Sequence, residues 1–282
     1  MPSPTEITVS QLARLVGTPE APAIVDVRSS EHFDADPRFI PCALRRDAAQ
    51  VDAWAQEYRG QKVVVTCQHG GKLSQGVAAW LRNEGIDTES LEGGHDAWAT
   101  ERGLLVDSRK LLPRDARQRT AWVTRSRPKV DRIACPWLIR RFVDRDAVLL
   151  FVNPTEVAGV AERFHAAPYD VEGVFWSHRA ERCSFDTFIA ELGLVSPALE
   201  RLALIVRGAD TARQDLAPEA AGLLAASFGY SRMYKDDLEQ LAHAMEFYDA
   251  LYRWARDAME ETHNWPSTKP KQATKAPEPS RA

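Results

Sequence analysis

Val63-Val64-Val65-Thr66-Cys67-Gln68-His69-Gly70-Gly71-Lys72-Leu73-Ser74 decides how the first part of the chain folds. An apolar, β-branched run stops at a cysteine. A short polar loop with two glycines follows. Gln75 to Asn83 then reads as a helix with Val77, Trp80 and Leu81 on one face. Cys67 therefore sits where a buried strand ends and a helix begins. A thiol in that place feels the loop amides and the positive end of the helix dipole, and both favour thiolate. Lys72 adds a cation at the far end of the loop. The competing reading is an inert cysteine in an ordinary strand-to-helix turn.

The neighbouring segments repeat the alternation. Ala23-Ile24-Val25-Asp26-Val27-Arg28 is a compact apolar strand ending in charge, and Ser10 caps a short helix over Gln11 to Val16. Asp47 to Tyr58 reads as an amphipathic helix with Val51, Trp54 and Ala55 inward. Thr88 to Leu91 is a strand broken by Gly93-Gly94, and His95 to Arg102 is a helix. Strands alternating with helices predict a parallel sheet covered on both faces. Such sheets carry sites beyond the carboxyl ends of their strands, where Cys67 and Arg28 both lie.

Three segments in this order and spacing carry a specific likeness: Ile24 to Arg28, the loop Cys67 to Lys72, and Leu91-Glu92-Gly93-Gly94-His95-Asp96-Ala97-Trp98. Together they resemble a single-domain rhodanese over about residues 5 to 105. The family's usual His-Ile-Pro-Gly-Ala segment reads Phe39-Ile40-Pro41-Cys42-Ala43 here, and the often basic second loop position is Gln68. The resemblance implies sulfur transfer. The Cys67 thiolate would take sulfur from an anionic donor such as thiosulfate and pass it to a thiol acceptor. Backbone amides from Gln68 to Leu73, including His69, Gly70 and Gly71, would cradle the persulfide or leaving anion, with Lys72 holding it by charge. Asp26 and Arg28 border the same site and are expected to brace the loop. Cys42 is a buried thiol or a resolving partner for Cys67.

Whole-chain properties set the frame. With 282 residues, 44% of them hydrophobic, there is material for two cores. The net charge of -4 gives no footprint for nucleic acid. Four cysteines are too few for a disulfide scaffold and form no close metal-binding pairs. No signal peptide and no membrane-length apolar run is read, so the expected location is cytoplasmic.

Residues 107–120 read as a charged linker, and a new core opens at Trp122-Val123-Thr124. Asp131 to Phe142 is an amphipathic helix, Ala147 to Val152 and Gly173 to His178 are strand-like, and Glu156 to Phe164 is helical. Further helices run from Phe185 to Leu192 behind Ser184 as cap, and from Pro197 to Ala209. Residues 218–262 read as nearly continuous helix with breaks at Gly222 and Gly229-Tyr230. Arg127 to Phe142, His178 to Asp186, Ile205 to Thr211 and Pro218 to Leu223 together resemble the C-terminal domain of the ChrB chromate-resistance family. That resemblance implies a role in chromate resistance or sensing. Arg127, Arg132, Arg140, Arg141 and Arg207 are candidates for an oxyanion site, because guanidinium forks match tetrahedral anions. His178, Cys183, Asp186 and Asp210 are candidates for a divalent metal, with Asp131 and Glu219 as further donors. Solvated arginines, a core histidine and a capping serine are the plainer alternatives. Cys135 and Cys183 are redox candidates, although an apolar helix around Cys135 favours an inert thiol.

The expected fold is α/β. A rhodanese-like parallel sheet with flanking helices occupies 1–106, a linker 107–120, a mostly helical α+β domain 121–263, and a disordered tail 264–282. The expected function is a chromate-resistance-associated, thiosulfate-type sulfurtransferase forming a Cys67 persulfide. The alternative is a non-enzymatic sensor or regulator of chromate, another oxyanion or redox state. Sulfur transfer requires no cofactor; a divalent metal is a candidate for the second domain. A small sulfur donor, a thiol acceptor and an oxyanion are the partners considered. Neither membrane nor nucleic acid is expected, and the sequence leaves the oligomeric state open.

Overall fold

The computed structural model describes residues 4–262, so the tail expected over 264–282 lies outside the described residues. The first domain runs β1 (Glu6–Ile7), α1 (Val9–Leu15), β2 (Ala23–Asp26), α2 (Ser30–Ala35), β3 (Arg38–Phe39) and β4 (Leu44–Arg45). It continues with α3 (Val51–Trp54), β5 (Val63–Thr66), α4 (Lys72–Asn83), β6 (Thr88–Leu91) and α5 (Gly94–Thr100). Five strands form a parallel sheet in the order β1-β6-β5-β2-β4. Val25 pairs with Val65 and Asp26 with Thr66, which brings Cys67 and Val27 to the same carboxyl edge.

The residue-by-residue alternation of a strand builds two cores. Ile24 and Val64 face Ile7, Leu12, Leu91 and Trp98. Val25, Val63 and Val65 face Trp54, Tyr58, Val77 and Leu81. The cap of α1 is Thr8 rather than Ser10: its hydroxyl accepts from the Gln11 amide in a capping box. The helix expected over Asp47 to Tyr58 is one α turn between two 3-10 turns, with Val51, Trp54 and Ala55 buried as expected.

The expected linker begins as structure. β7 (Val106–Asp107) pairs antiparallel with β3, and Ser108–Lys110 makes a 3-10 turn. The second domain then runs β8 (Ala121–Arg125), α6 (Asp131–Leu138), β9 (Val148–Val152), α7 (Val157–Phe164) and β10 (Ala167–Pro168). Helices α8 (Ser184–Leu192), α9 (Pro197–Asp210), α10 (Ala220–Met233) and α11 (Asp237–Asp257) complete it. Its small parallel sheet has the order β10-β8-β9. The strand expected over Gly173 to His178 is a single bridge from Trp176 to Tyr169. Trp176 packs instead against both Trp122 and Phe188, with ring centroids 5.5 and 4.6 Å away. The last two helices break at Tyr234 to Asp236, not at a glycine, because the Asp236 side chain caps α11 by accepting from Glu239.

One apolar core extends through both domains. Gly17, at φ +80°, lies so close to the second domain that a Cβ there would sit 2.4 Å from the Phe142 ring. Cys42 occupies the position where the resembled family has glycine, and its φ is +61°. Its amide donates to the Phe142 carbonyl at 3.2 Å.

Candidate functional site

The first site grows from the end of β5. Cys67 is buried, and its sulfur lies 3.1 Å from Ser74 Oγ in the first turn of α4. Among the described residues, the N–H groups of Gln68 to Ser74 donate to no acceptor. They form a run of unused donors around the loop, continued by the amino end of a twelve-residue helix. Lys72, the first residue of that helix, is exposed and has no ion pair among the described residues.

Neighbouring backbone fixes the loop. The amides of His95 and Asp96 donate to the carbonyls of Cys67 and Gln68 at 2.9 and 3.0 Å. This contact requires glycines: a Cβ on Gly94 would lie 2.3 Å from the Cys67 carbonyl, and one on Gly70 would lie 2.6 Å from the Gly93 nitrogen. Gln68 donates to Asp96 at 2.5 Å, and His69 Nδ1 stands 2.6 Å from the other oxygen of that carboxylate. Both side chains are thus drawn to α5. Leu73 packs against the core beneath and borders a cavity of about 660 Å³ that Arg28 and Arg45 also line.

Asp26 and Arg28 brace this edge. Arg28 donates to both Asp26 oxygens and to the carbonyls of Asp36 and Arg38, at 2.6 to 3.1 Å. Its guanidinium is sealed from solvent, so it acts on neighbouring backbone. Cys42 faces the second domain, with its sulfur 3.8 Å from the Arg140 carbonyl, and burial pushes its thiol up to about 12. Burial also raises the thiols of Cys135 and Cys183 well above their ordinary range.

A second polar cluster forms at the carboxyl edge of the small sheet. His178 Nε2 stands 3.1 Å from Asp210, 3.3 Å from Asp170 and 3.5 Å from Asp131. Asp131 opens α6 behind Val130, which is held at φ +38°. The Val130 amide donates to Ser227 Oγ, and its carbonyl accepts from Tyr248, so both backbone groups are pinned. Ser184 ties the acids together: its amide donates to Asp131 at 2.5 Å and its hydroxyl to Asp170 at 2.7 Å. Arg125 and Arg132 reach the outer oxygen of Asp170 at 3.3 and 3.4 Å. Asp170, then Asp210, hold the His178 pKa up to about 10 despite partial burial. Burial, then the charges of Asp210 and Asp170, push the Asp131 carboxyl well above its ordinary range.

The structure thus joins His178 and Asp210, but with Asp131 and Asp170 rather than Cys183 and Asp186. Cys183 caps α8, and Asp186 accepts from its amide and from Arg207. Glu219 is bound to Arg201. Among the described residues, the five arginines considered for an oxyanion share no partner. Arg127 binds carbonyls at Ser231 and Tyr234, Arg132 faces Asp170, and Arg140 touches Met245. Arg141 pairs with Asp249 and Arg207 with Asp186. Asp170 was not singled out from sequence. Its one local signal is its place just past the short apolar strand that ends in Pro168.

Comparison with known proteins follows this division. Residues 8–101 match the family model of the rhodanese-like domain, and residues 122–255 match that of the ChrB C-terminal domain. Protein ChrB of Cupriavidus metallidurans is 32% identical over 140 residues, which cover 46% of this chain and 39% of that protein. Among solved structures, a rhodanese-related protein of Thermoplasma volcanium is 22% identical. The alignment covers 36% of this chain and 96% of that one, with a TM-score of 0.32. A rhodanese-like domain protein of Staphylococcus aureus is 26% identical over 33% of this chain and 90% of that one, with a TM-score of 0.30. Among the described residues no helix is long and apolar enough to cross a membrane.

Proposed function

We propose that this chain, which joins a rhodanese-like domain to a ChrB C-terminal domain, is a sulfurtransferase whose carrier is Cys67. The thiolate attacks the outer sulfur of thiosulfate. A sulfur–sulfur bond forms to Cys67, and the bond to the sulfite sulfur breaks with its electron pair leaving on sulfite. The enzyme then holds a persulfide anion. A thiolate acceptor attacks the terminal sulfur, takes it as its own persulfide, and restores the Cys67 thiolate. No electrons are gained or lost overall.

The observation that carries this reading is the run of unused amides from Gln68 to Ser74 around the Cys67 loop. A terminal persulfide anion needs donors of this kind, fixed in place before the charge arrives. Lys72, which has no ion pair among the described residues, adds a cation for an anionic donor. Ser74 adds a hydroxyl at the sulfur itself. Asp26 and Arg28 brace the adjoining backbone.

The C-terminal domain supports placing this activity in chromate resistance. The chain spans 39% of the length of the curated relative it matches, so this placement rests on the shared domain. The deciding experiment is intact mass after incubation with thiosulfate. Wild type gains one sulfur that cyanide removes, and Cys67→Ser gains none. If wild type gains no sulfur from thiosulfate or another persulfide donor, the loop is an anion-binding element of a sensor instead.

A further inference from the structure

We propose that Asp131, Asp170 and His178, joined by Asp210, form a binding site for one divalent metal ion in the second domain. The proposal is independent of sulfur transfer at Cys67. Asp131, Asp170 and His178 each offer a ligand atom, and these atoms lie within 4.8 Å of one another. One ion at the usual metal–ligand distances of about 2.0–2.2 Å spans such a set. Asp210 reaches the same imidazole nitrogen from the end of α9.

Ion pairing among these residues leaves the cluster incomplete. Three carboxylates approach one nitrogen, and a single N–H serves one of them. Asp131 is fully buried, and among the described residues its Oδ1 has no hydrogen-bond partner. A buried carboxylate oxygen with no partner is strongly disfavoured. A cation among these ligands supplies the buried Asp131 carboxylate with a counter-charge and replaces the proton on His178. Ser184 already orients two of the acids by donating to Asp131 and Asp170, as outer-shell donors do at metal sites.

The donors select the ion. Carboxylate oxygens with one imidazole suit Mn²⁺, Fe²⁺ or Zn²⁺ and do not favour thiophilic ions such as Cu⁺. Cys183 stands at the cap of α8, and the converging ligand atoms are those of Asp131, Asp170 and His178, with no sulfur among them. The site also has a way in. The side chains of Asp131 and Asp170 are 1% and 9% exposed and form the floor, whereas His178 and Asp210, at 41% and 20%, form the rim.

The test is calorimetric titration of the chelator-treated full chain with Mn²⁺ and with Zn²⁺, with thermal unfolding read in parallel. Wild type is expected to take up one ion per chain and to unfold at higher temperature when loaded. Asp170→Asn and His178→Gln should each weaken binding at least tenfold. His178→Gln lies on the rim and keeps the fold, which far-ultraviolet circular dichroism checks. Absence of saturable binding by wild type overturns the proposal. So does binding that persists at wild-type strength in folded His178→Gln.

Discussion

Ser74 Oγ lies 3.1 Å from the sulfur of Cys67 and 3.2 Å from the Gly71 carbonyl. The hydroxyl can turn its proton from the carbonyl to the sulfur once that sulfur carries charge. A hydrogen bond to a charged group contributes about 1.5–3 kcal/mol. Ser74→Ala should therefore slow sulfur loading of Cys67 by about ten- to a hundredfold. The check is a time course of intact mass under thiosulfate; an unchanged rate would remove Ser74 from the chemistry.

Two glycines, Gly94 and Gly76, predict opposite outcomes from one type of substitution. Gly94 has φ +61°, and a Cβ there would meet the Cys67 carbonyl at 2.3 Å and the Gly70 nitrogen at 2.4 Å. Gly94→Ala should lower stability by about 2–4 kcal/mol, from left-handed strain and overlap together. Gly76 lies inside α4 with nothing within 4 Å of its absent Cβ. Gly76→Ala should raise stability by about 0.5–1 kcal/mol. Urea unfolding of both variants measures the contrast.

Arg28 and Asp26 form an ion pair whose side chains are 0% and 2% exposed. Removing one member strands the other charge in the interior. Arg28→Met should lower stability by about 3–5 kcal/mol. It also frees the carbonyls of Asp36 and Arg38, so sulfur loading should fall with it. Denaturant unfolding gives the first quantity; a loss under 1 kcal/mol would contradict the bracing role.

Asp36 accepts two hydrogen bonds from Arg38 and one from His95, and its pKa is lowered, chiefly by Arg38. A carboxyl depressed in the folded state stabilises above its ordinary pKa of 3.8 and loses that stabilisation as pH falls through the depressed value. Arg38 is half exposed, so the contribution is screened to about 1 kcal/mol. The stability gap between wild type and Asp36→Asn should be constant near neutrality and close progressively below pH 3.8. Unfolding curves at stepped pH test this; a gap that widens in acid would reverse the sign.

Desolvation raises three of the four thiols, and Cys67 alone sits against the amides of the loop after β5. Cys42, pushed up to about 12, stays protonated at pH 8, and Cys135 and Cys183 are raised as well. Iodoacetamide at pH 8 should modify Cys67 first and leave the other three until denaturant is added. Peptide mapping reads the order of labelling.

Legibility from sequence followed the range of the interactions. The valine run, the glycine loop and the helix after it are local, and each specifies its own structure within a few residues. The loop's setting and the parallel sheet therefore followed from the order of segments. Trp176 shows the limit: its β-rich neighbourhood reads as a strand, but packing against Trp122 and Phe188 overrides that preference. The long C-terminal helix shows it again, because the aspartate cap at 236 breaks it where the glycines do not.

By itself the sequence determined the rhodanese-like sheet, the placement of Cys67 between strand and helix, and the start of a second core near Trp122. These depend on periodicity and turn chemistry, which neighbouring residues carry. Only the tertiary structure decided which charged groups meet. Asp131, Asp170, His178 and Asp210 come from a helix start, two loops and a helix end, and their convergence depends on how α6, α8 and α9 pack. The same packing gave Arg141, Arg207 and Arg127 their separate acids and carbonyls. Charge type is written in the chain, but the partner of a long side chain is set by the fold that surrounds it.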